Sequence, residues 1–164
     1  MTDAGPWLFA LTLVSALGCG LIAGAFFAFS SFVMSALGRL PPASGIAAMQ
    51  SINIVVINPV FLGVFLGTAA ACLGVLISAF LRWPAPGTSY AIAGSALYIA
   101  GTFLVTMAFN VPRNNMLAAV DPASHGGARV WAGYLVTWTR WNHVRTAAAL
   151  AAAALLIMAL VQAG

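Results

Sequence analysis

Long apolar runs dominate the pattern of hydrophobic and polar positions along the chain. A helix that crosses a bilayer needs roughly 20 consecutive apolar residues. We predict four such helices, over about residues 7–37, 59–81, 89–109 and 129–161. The last begins in a mixed polar and aromatic stretch and becomes continuously apolar only from Thr146.

Clusters of proline, glycine and asparagine separate these runs. LPPASG (40–45) stops the first helix because consecutive prolines cannot continue its hydrogen bonding. RWPAPGT (82–88) predicts a tight turn and DPASHGG (121–127) a loop. NVPRNN (110–115) is predicted to end the third span, since it combines a proline with three asparagines.

The segment before the second span allows two interpretations. Asn58 suits a helix N-cap and Pro59 the first turn of a helix, which would leave residues 43–57 as a separate short helix near the membrane interface. Alternatively, one longer helix is kinked at Pro59.

The composition indicates an all-α membrane protein. Of its 164 residues 63% are hydrophobic and 5% charged, whereas soluble domains carry roughly 25% charged residues. We predict one domain over residues 1–164, a four-transmembrane-helix bundle with helical extensions on one side. Cys19 and Cys72 lie in apolar runs with no metal or CxxC spacing, so we interpret both as small core residues.

Small residues recur at packing distance, in the pairs Gly20 and Gly24, Gly63 and Gly67, and Gly74 and Ser78, and in the alanines 147–149 and 151–154. This spacing lets helix backbones approach closely in lipid, so we expect it to pack the bundle. Association between copies into a homo-oligomer is an alternative use of the same residues.

The net charge of +4 comes from scattered arginines, which argues against a nucleic-acid partner and for a topology signal. Five of the six arginines flank the loops after spans one and three, and only Arg82 lies in the other loop. We predict a plasma-membrane protein with this arginine-rich end in the cytoplasm and both termini outside. Because Asp3 is the only charge before the first apolar run, no basic signal-peptide region is evident and the run is expected to be a retained span.

Polar and aromatic residues collect at the same end. On a helix, Asn142 and Arg145 share a face with Trp131, Tyr134, Trp138 and Trp141, whereas Arg140 and His143 fall on roughly the opposite side. One interpretation is an interfacial belt of aromatic anchors with arginines at lipid phosphates. Asn142, His143 and Arg145 instead indicate function, because they abut an alanine run where polar groups are costly.

The available chemistry is narrow, since the sequence offers no carboxylate pair, Ser–His–Asp set, phosphate-binding loop or HExxH motif. A histidine is a natural proton acceptor, and asparagine and arginine are natural donors to a developing oxyanion. The combination fits proton abstraction beside a carbonyl or phenol with no cofactor. A haem or copper site at His143 is a further alternative.

Three segments resemble the DUF1772 or anthrone oxygenase family: residues 24–61, NVPRNNML (110–117) and WTRWNHVRT (138–146). The resemblance covers about residues 20–155. It implies a small multi-pass membrane protein, some of whose relatives oxidise anthrones to anthraquinones with O2 and no evident flavin or nicotinamide. The positions that match the family pattern are Asn53, Asn58, Asn110, Pro112, Arg113, Asn114, Asn115, Trp141, Asn142, His143 and Arg145.

From this resemblance and the chemistry together, we expect an apolar aromatic small molecule as substrate. In this hypothesis His143 removes the proton, and Arg113, Asn114 or Arg145 stabilises the enolate oxygen. The expected substrate-binding residues are Asn53, Asn58, Asn110, Asn115, Trp138, Trp141, Asn142 and Phe29. The alternatives are a non-enzymatic bundle that binds lipid or a quinone-like ligand, a partner subunit, or a haem- or copper-dependent oxidase.

Overall fold

The computed structural model describes residues 5–163, and within that range every regular element is helical. The helices are α1 (Pro6–Gly38), α2 (Pro42–Val55), α3 (Pro59–Leu81), α4 (Thr88–Ala118) and α5 (Gly127–Ala163). All but α2 are long and apolar enough to cross a membrane. The all-α, four-span prediction is therefore confirmed, whereas Asp3 lies outside the described residues.

The four long helices form a ring in which α1 and α4 each pack against both α3 and α5. Small side chains from α1, α3 and α5 fill the centre, together with Phe65 and Tyr98. The Tyr98 hydroxyl is buried and donates to the Phe65 carbonyl at 3.1 Å, which satisfies a polar group that lipid could not.

The glycine pairs do not pack the bundle as expected. A Cβ added at Gly20, Gly24, Gly63 or Gly67 would meet nothing within 4 Å, so these positions face outward. The close approaches involve other glycines, such as Gly101, whose added Cβ would lie 2.5 Å from the Ala148 Cβ. The prediction is therefore wrong for these two glycine pairs, but the alanines of α5 do pack the bundle, since Ala148, Ala149, Ala152 and Ala153 are buried.

The helix predicted to end at NVPRNN continues to Ala118. Thr106–Asn110, just before Pro112, forms a wider π-helical turn, and Pro112 falls in the first turn of the α-helix that resumes at Val111. A proline is tolerated there because the backbone hydrogen-bond ladder is already interrupted. The Arg113 guanidinium also donates to the Phe109 carbonyl at 2.6 Å, which further compensates that interruption.

The short-helix interpretation of the segment before α3 is confirmed, because α2 ends at Val55 and a new helix begins at Pro59. The Asn58 side chain accepts from the backbone N–H groups of Val60 and Phe61 at 3.0 and 2.9 Å. Asn58 is therefore the N-cap of α3.

A second core lies at the end of the bundle that carries α2. It contains buried residues from α1, α2, α4 and α5: Met34, Ile46, Met49, Leu117, Trp131, Tyr134 and Trp138. Gln50 of α2 donates to the carbonyls of Leu117 and Val120, both at 2.9 Å, and so caps the C-terminal end of α4. This packing supports the polar site described below.

Candidate functional site

Arg145 occupies the interior of this end of the bundle and is only 4% exposed. Its guanidinium carbon lies 4.1 Å from the centre of the Phe26 ring and 5.1 Å from that of Trp138. Aromatic faces stabilise a cation by electrostatic attraction, although they do not replace a counter-ion. Burying an uncompensated charge costs several kcal/mol, and a charged residue inside a membrane span is therefore a candidate functional residue.

Asn142 holds the guanidinium in place. Its Oδ1 accepts from Arg145 Nη2 at 2.7 Å, while its Nδ2 donates to the Phe26 carbonyl and to Ser30 Oγ, both at 2.7 Å. Asn142 is fully buried, and all of its amide groups are paired. These hydrogen bonds link α5 to α1 and orient Arg145.

Three π-helical turns surround this arginine and asparagine: Phe29–Val33 in α1, and Tyr98–Leu104 and Thr106–Asn110 in α4. Thr106 Oγ1 accepts from Arg145 Nη1 at 3.3 Å, and Thr102 Oγ1 donates to the Arg145 carbonyl at 3.3 Å. Such turns re-aim side chains and occur frequently at functional sites.

Asn114 is the acceptor for two aromatic donors on α5. Its Oδ1 lies 2.9 Å from the Tyr134 hydroxyl and 2.8 Å from Trp138 Nε1. One turn earlier on α4, Asn110 Nδ2 donates to the Trp138 carbonyl at 3.2 Å. The asparagines of NVPRNN and the aromatic face of α5 therefore do meet, and they fix the Trp138 ring beside Arg145.

Several buried polar atoms of this end have no hydrogen-bond partner within the described part of the chain. They are Arg145 Nε, Asn53 Nδ2, Asn110 Oδ1 and Trp131 Nε1. Because buried polar groups are nearly always paired, these atoms are candidates for contacts with a ligand or with water.

The other predicted binding residues divide into packing and surface positions. Trp141 stacks on Phe109 with ring centres 3.6 Å apart, and Phe29 packs against Trp138 at 5.7 Å. Asn115 is exposed. Asn58 uses its side chain to cap α3, and Arg113 uses its guanidinium on the Phe109 carbonyl. Only some of the predicted set therefore reaches Arg145.

His143 lies apart from Arg145, as the helical face analysis predicted. It is exposed and lines a groove of about 600 Å³ together with Arg39 and Arg140. The contacts made by the Arg145 guanidinium are with Asn142, Thr106, Phe26 and Trp138. That His143 acts as the proton acceptor stays a prediction.

No carboxylate is among the contacts of Arg145. Asp121 is the only acidic residue of the described range, and it is exposed and caps its own loop by accepting from the Ala123 N–H at 2.9 Å. No three His, Cys, Asp or Glu side chains of residues 5–163 lie together as a metal site would require. The arrangement is therefore a buried cation with oriented donors, which suits an oxyanion.

The family model for anthrone oxygenase matches residues 55–155, well over half of the chain. The chain belongs to the anthrone oxygenase family. No curated protein and no solved structure matches it. The anthrone oxygenase match includes Asn110, Asn114, Asn142 and Arg145, whereas α1 lies before it.

Four hydroxyl groups around the candidate site were not among the predicted residues: Ser30, Thr102, Thr106 and Thr146. Ser30 and Thr146 lie 3.1 Å apart between α1 and α5, and Thr146 also donates to the Asn142 carbonyl at 2.9 Å. Threonines at i and i+4 in an apolar helix were a usable signal for Thr102 and Thr106, since hydroxyls in a span need partners.

Proposed function

We propose that this protein oxidises an apolar anthrone-like phenolic ketone with O2. Membership of the anthrone oxygenase family supports the reaction class. One observation carries the proposal: the buried Arg145 has no carboxylate among its contacts, and its Nε has no acceptor within the described residues. A substrate that becomes an anion during the reaction supplies the missing counter-charge. Arg145 then stabilises that anion more strongly than it stabilises the neutral substrate.

The proposed chemistry starts at the methylene carbon opposite the ketone. Loss of one proton gives an enolate whose oxygen receives a hydrogen bond from Arg145 Nε. The electron-rich carbon then reacts with O2, and loss of water leaves a second carbonyl. In sum, one anthrone and one O2 give one anthraquinone and one water, so the substrate supplies all the electrons.

Arg145 and Asn142 have distinct roles in this scheme. Arg145 stabilises the enolate oxygen by a charge-assisted hydrogen bond in a site with little water. Asn142 is a positioning residue, since it holds Nη2 and leaves Nε free. The proton passes to water or, as the sequence-based hypothesis has it, to His143.

The proposal also covers how the substrate reaches the site and in which membrane the protein lies. A flat apolar tricycle partitions into the bilayer and reaches the bundle from lipid, and Phe26, Phe29 and Trp138 supply an aromatic wall. We further propose a plasma-membrane location with the arginine-rich end in the cytoplasm and no resident cofactor. We also propose that copies of the chain associate into a homo-oligomer, and we assign no residues to that contact.

The test is oxygen uptake by purified protein with emodin anthrone. We expect uptake well above the spontaneous oxidation measured without protein, and its loss in Arg145→Met. Arg129→Met removes a charge from an exposed position of the same helix and should keep activity. Absence of uptake in the folded wild-type protein would refute the proposal and favour a binding protein for lipid or quinone. An absorption spectrum and metal analysis of the same sample test for haem or copper.

A further inference from the structure

The groove that contains His143 lies outside the Arg145 site and has its own chemistry. It runs between the end of α1 and the first half of α5, and it has a volume of about 600 Å³. Three basic side chains and two hydroxyls line it alongside apolar residues. The lining comprises Arg39, Arg140, His143, Ser35 and Thr139, with Met34, Gly38, Leu135 and Val136.

The three basic groups have no partner of their own. Within residues 5–163, the side chains of Arg39, Arg140 and His143 make no hydrogen bond or ion pair, and the acidic Asp121 is engaged in its own loop. Two guanidinium groups that line one groove make its electrostatic potential positive, which favours a bound anion. The groove is therefore complementary to a negatively charged group.

The groove also lies at the depth of lipid headgroups. Helix α5 has 37 residues and is about 56 Å long, whereas the hydrocarbon layer is about 30 Å thick. Its continuously apolar part begins at about Thr146, three residues after His143, and Arg39 directly follows the end of α1. The basic side of the groove thus meets the headgroup layer, while exposed Val136 extends an apolar flank.

We propose that this groove binds the headgroup of an anionic phospholipid. Arg39 and Arg140 hold the phosphate, Ser35, Thr139 and His143 offer further hydrogen bonds, and the acyl chains lie over the apolar flank. Basic pockets between transmembrane helices recognise anionic headgroups in this way. A lipid is favoured over a soluble anion because the groove combines charge with exposed apolar surface.

The experiment compares lipid retention by native mass spectrometry of the detergent-purified protein. The protein is incubated with equal amounts of phosphatidylglycerol and phosphatidylcholine, which differ in net charge but share acyl chains. The variants are Arg39→Gln and Arg140→Gln. Arg129→Gln is the matched control, since it removes an equal charge from an exposed position of α5 that does not line the groove.

We expect the wild-type protein and Arg129→Gln to retain phosphatidylglycerol preferentially. Each groove variant should lose about fivefold in that preference, which corresponds to about 1 kcal/mol per arginine. Equal loss in Arg129→Gln, or no loss in either groove variant, would overturn the assignment. Displacement of the lipid by millimolar inorganic phosphate would also overturn it, because the groove would then bind soluble phosphate. Retention is measured without turnover, so this result is independent of the proposed oxidation.

Discussion

Arg145 Nη2 lies 2.7 Å from Asn142 Oδ1, one turn earlier on α5, and this bond aims the guanidinium between the Phe26 and Trp138 rings. The arginine is thus rigidly placed but not neutralised. A purely structural cation would be better served by a carboxylate, and Asn142 is the neutral isostere of one. In the proposed function, this positive charge is the one that stabilises the substrate oxyanion.

Replacing Arg145 by methionine should separate function from stability. We expect turnover of an anthrone to fall by at least about 10²–10³-fold, the usual effect of losing one oxyanion donor. The free energy of unfolding should hold or rise, because a buried uncompensated charge is replaced by an apolar chain of similar length. Oxygen uptake and denaturant unfolding in detergent measure the two quantities.

Arg145→Lys is the informative companion variant. Lysine keeps the charge but lacks the planar group that fits between two rings and donates through Nε and Nη2 together. It should remain nearly as inactive as the methionine variant. If both variants unfolded much more readily than wild type, Arg145 would be a structural residue instead.

Asn114 should prove essential for the integrity of the site. Replacement by leucine leaves the Tyr134 hydroxyl and Trp138 Nε1 without their acceptor, and each unpaired buried donor costs about 1–3 kcal/mol. We expect a loss of about 2–6 kcal/mol in the free energy of unfolding. Asn114→Asp keeps an acceptor oxygen and should lose much less. Similar unfolding curves for the two variants would show that these hydrogen bonds contribute little.

The sequence predicted this end of the molecule well because the relevant signals were local. Apolar run lengths located the spans, and of the two interpretations of the segment at Pro59 the structure confirms the one with Asn58 as the N-cap of α3. The 100° spacing of α5 put Asn142 and Arg145 on one face and His143 on another, as the structure has them.

What the sequence did not predict depends on three-dimensional packing. A π-helical turn contains an extra residue and shifts the following side chains by about 100°, so the helical wheel fails across Thr106–Asn110. Pro112 was predicted to end the helix because a proline cannot continue α-helical hydrogen bonding, and the π-helical turn that accommodates it is not visible in the sequence. The wheel also cannot tell which neighbour a face meets, and so the contact between Arg145 and Phe26 of α1 was not foreseen.

Asn58 tests whether a family-matching position binds substrate or supports the fold. Asn58→Ala should lower the free energy of unfolding by about 0.5–2 kcal/mol, because the first N–H groups of α3 lose their acceptor. Asn58→Ser retains a capping oxygen and should recover most of that stability. The KM for an anthrone should not change in either variant. A raised KM in the correctly folded serine variant would assign Asn58 to the binding site after all.

Two glycines allow a matched test of helix packing. Gly101→Ala places a methyl group 2.5 Å from the Ala148 Cβ, and overpacking of this kind costs about 1–3 kcal/mol. Gly20→Ala meets no atom within 4 Å and should be neutral or stabilise α1 by about 0.5–1 kcal/mol. Thermal unfolding in detergent distinguishes them. Destabilisation by Gly20→Ala would indicate a contact that this chain alone does not make, such as one with a second copy.

His143 decides between the two accounts of proton transfer. It is exposed in the groove with Arg39 and Arg140, and it is not among the contacts of Arg145. If water accepts the substrate proton, His143→Gln should slow turnover far less than Arg145→Lys and should leave the pH dependence of kcat unchanged. If His143 is the base, the loss should match that of the arginine variant, and added imidazole should restore part of the rate. Oxygen uptake across a pH series, with and without imidazole, therefore separates a base at the groove from an oxyanion site that works with water alone.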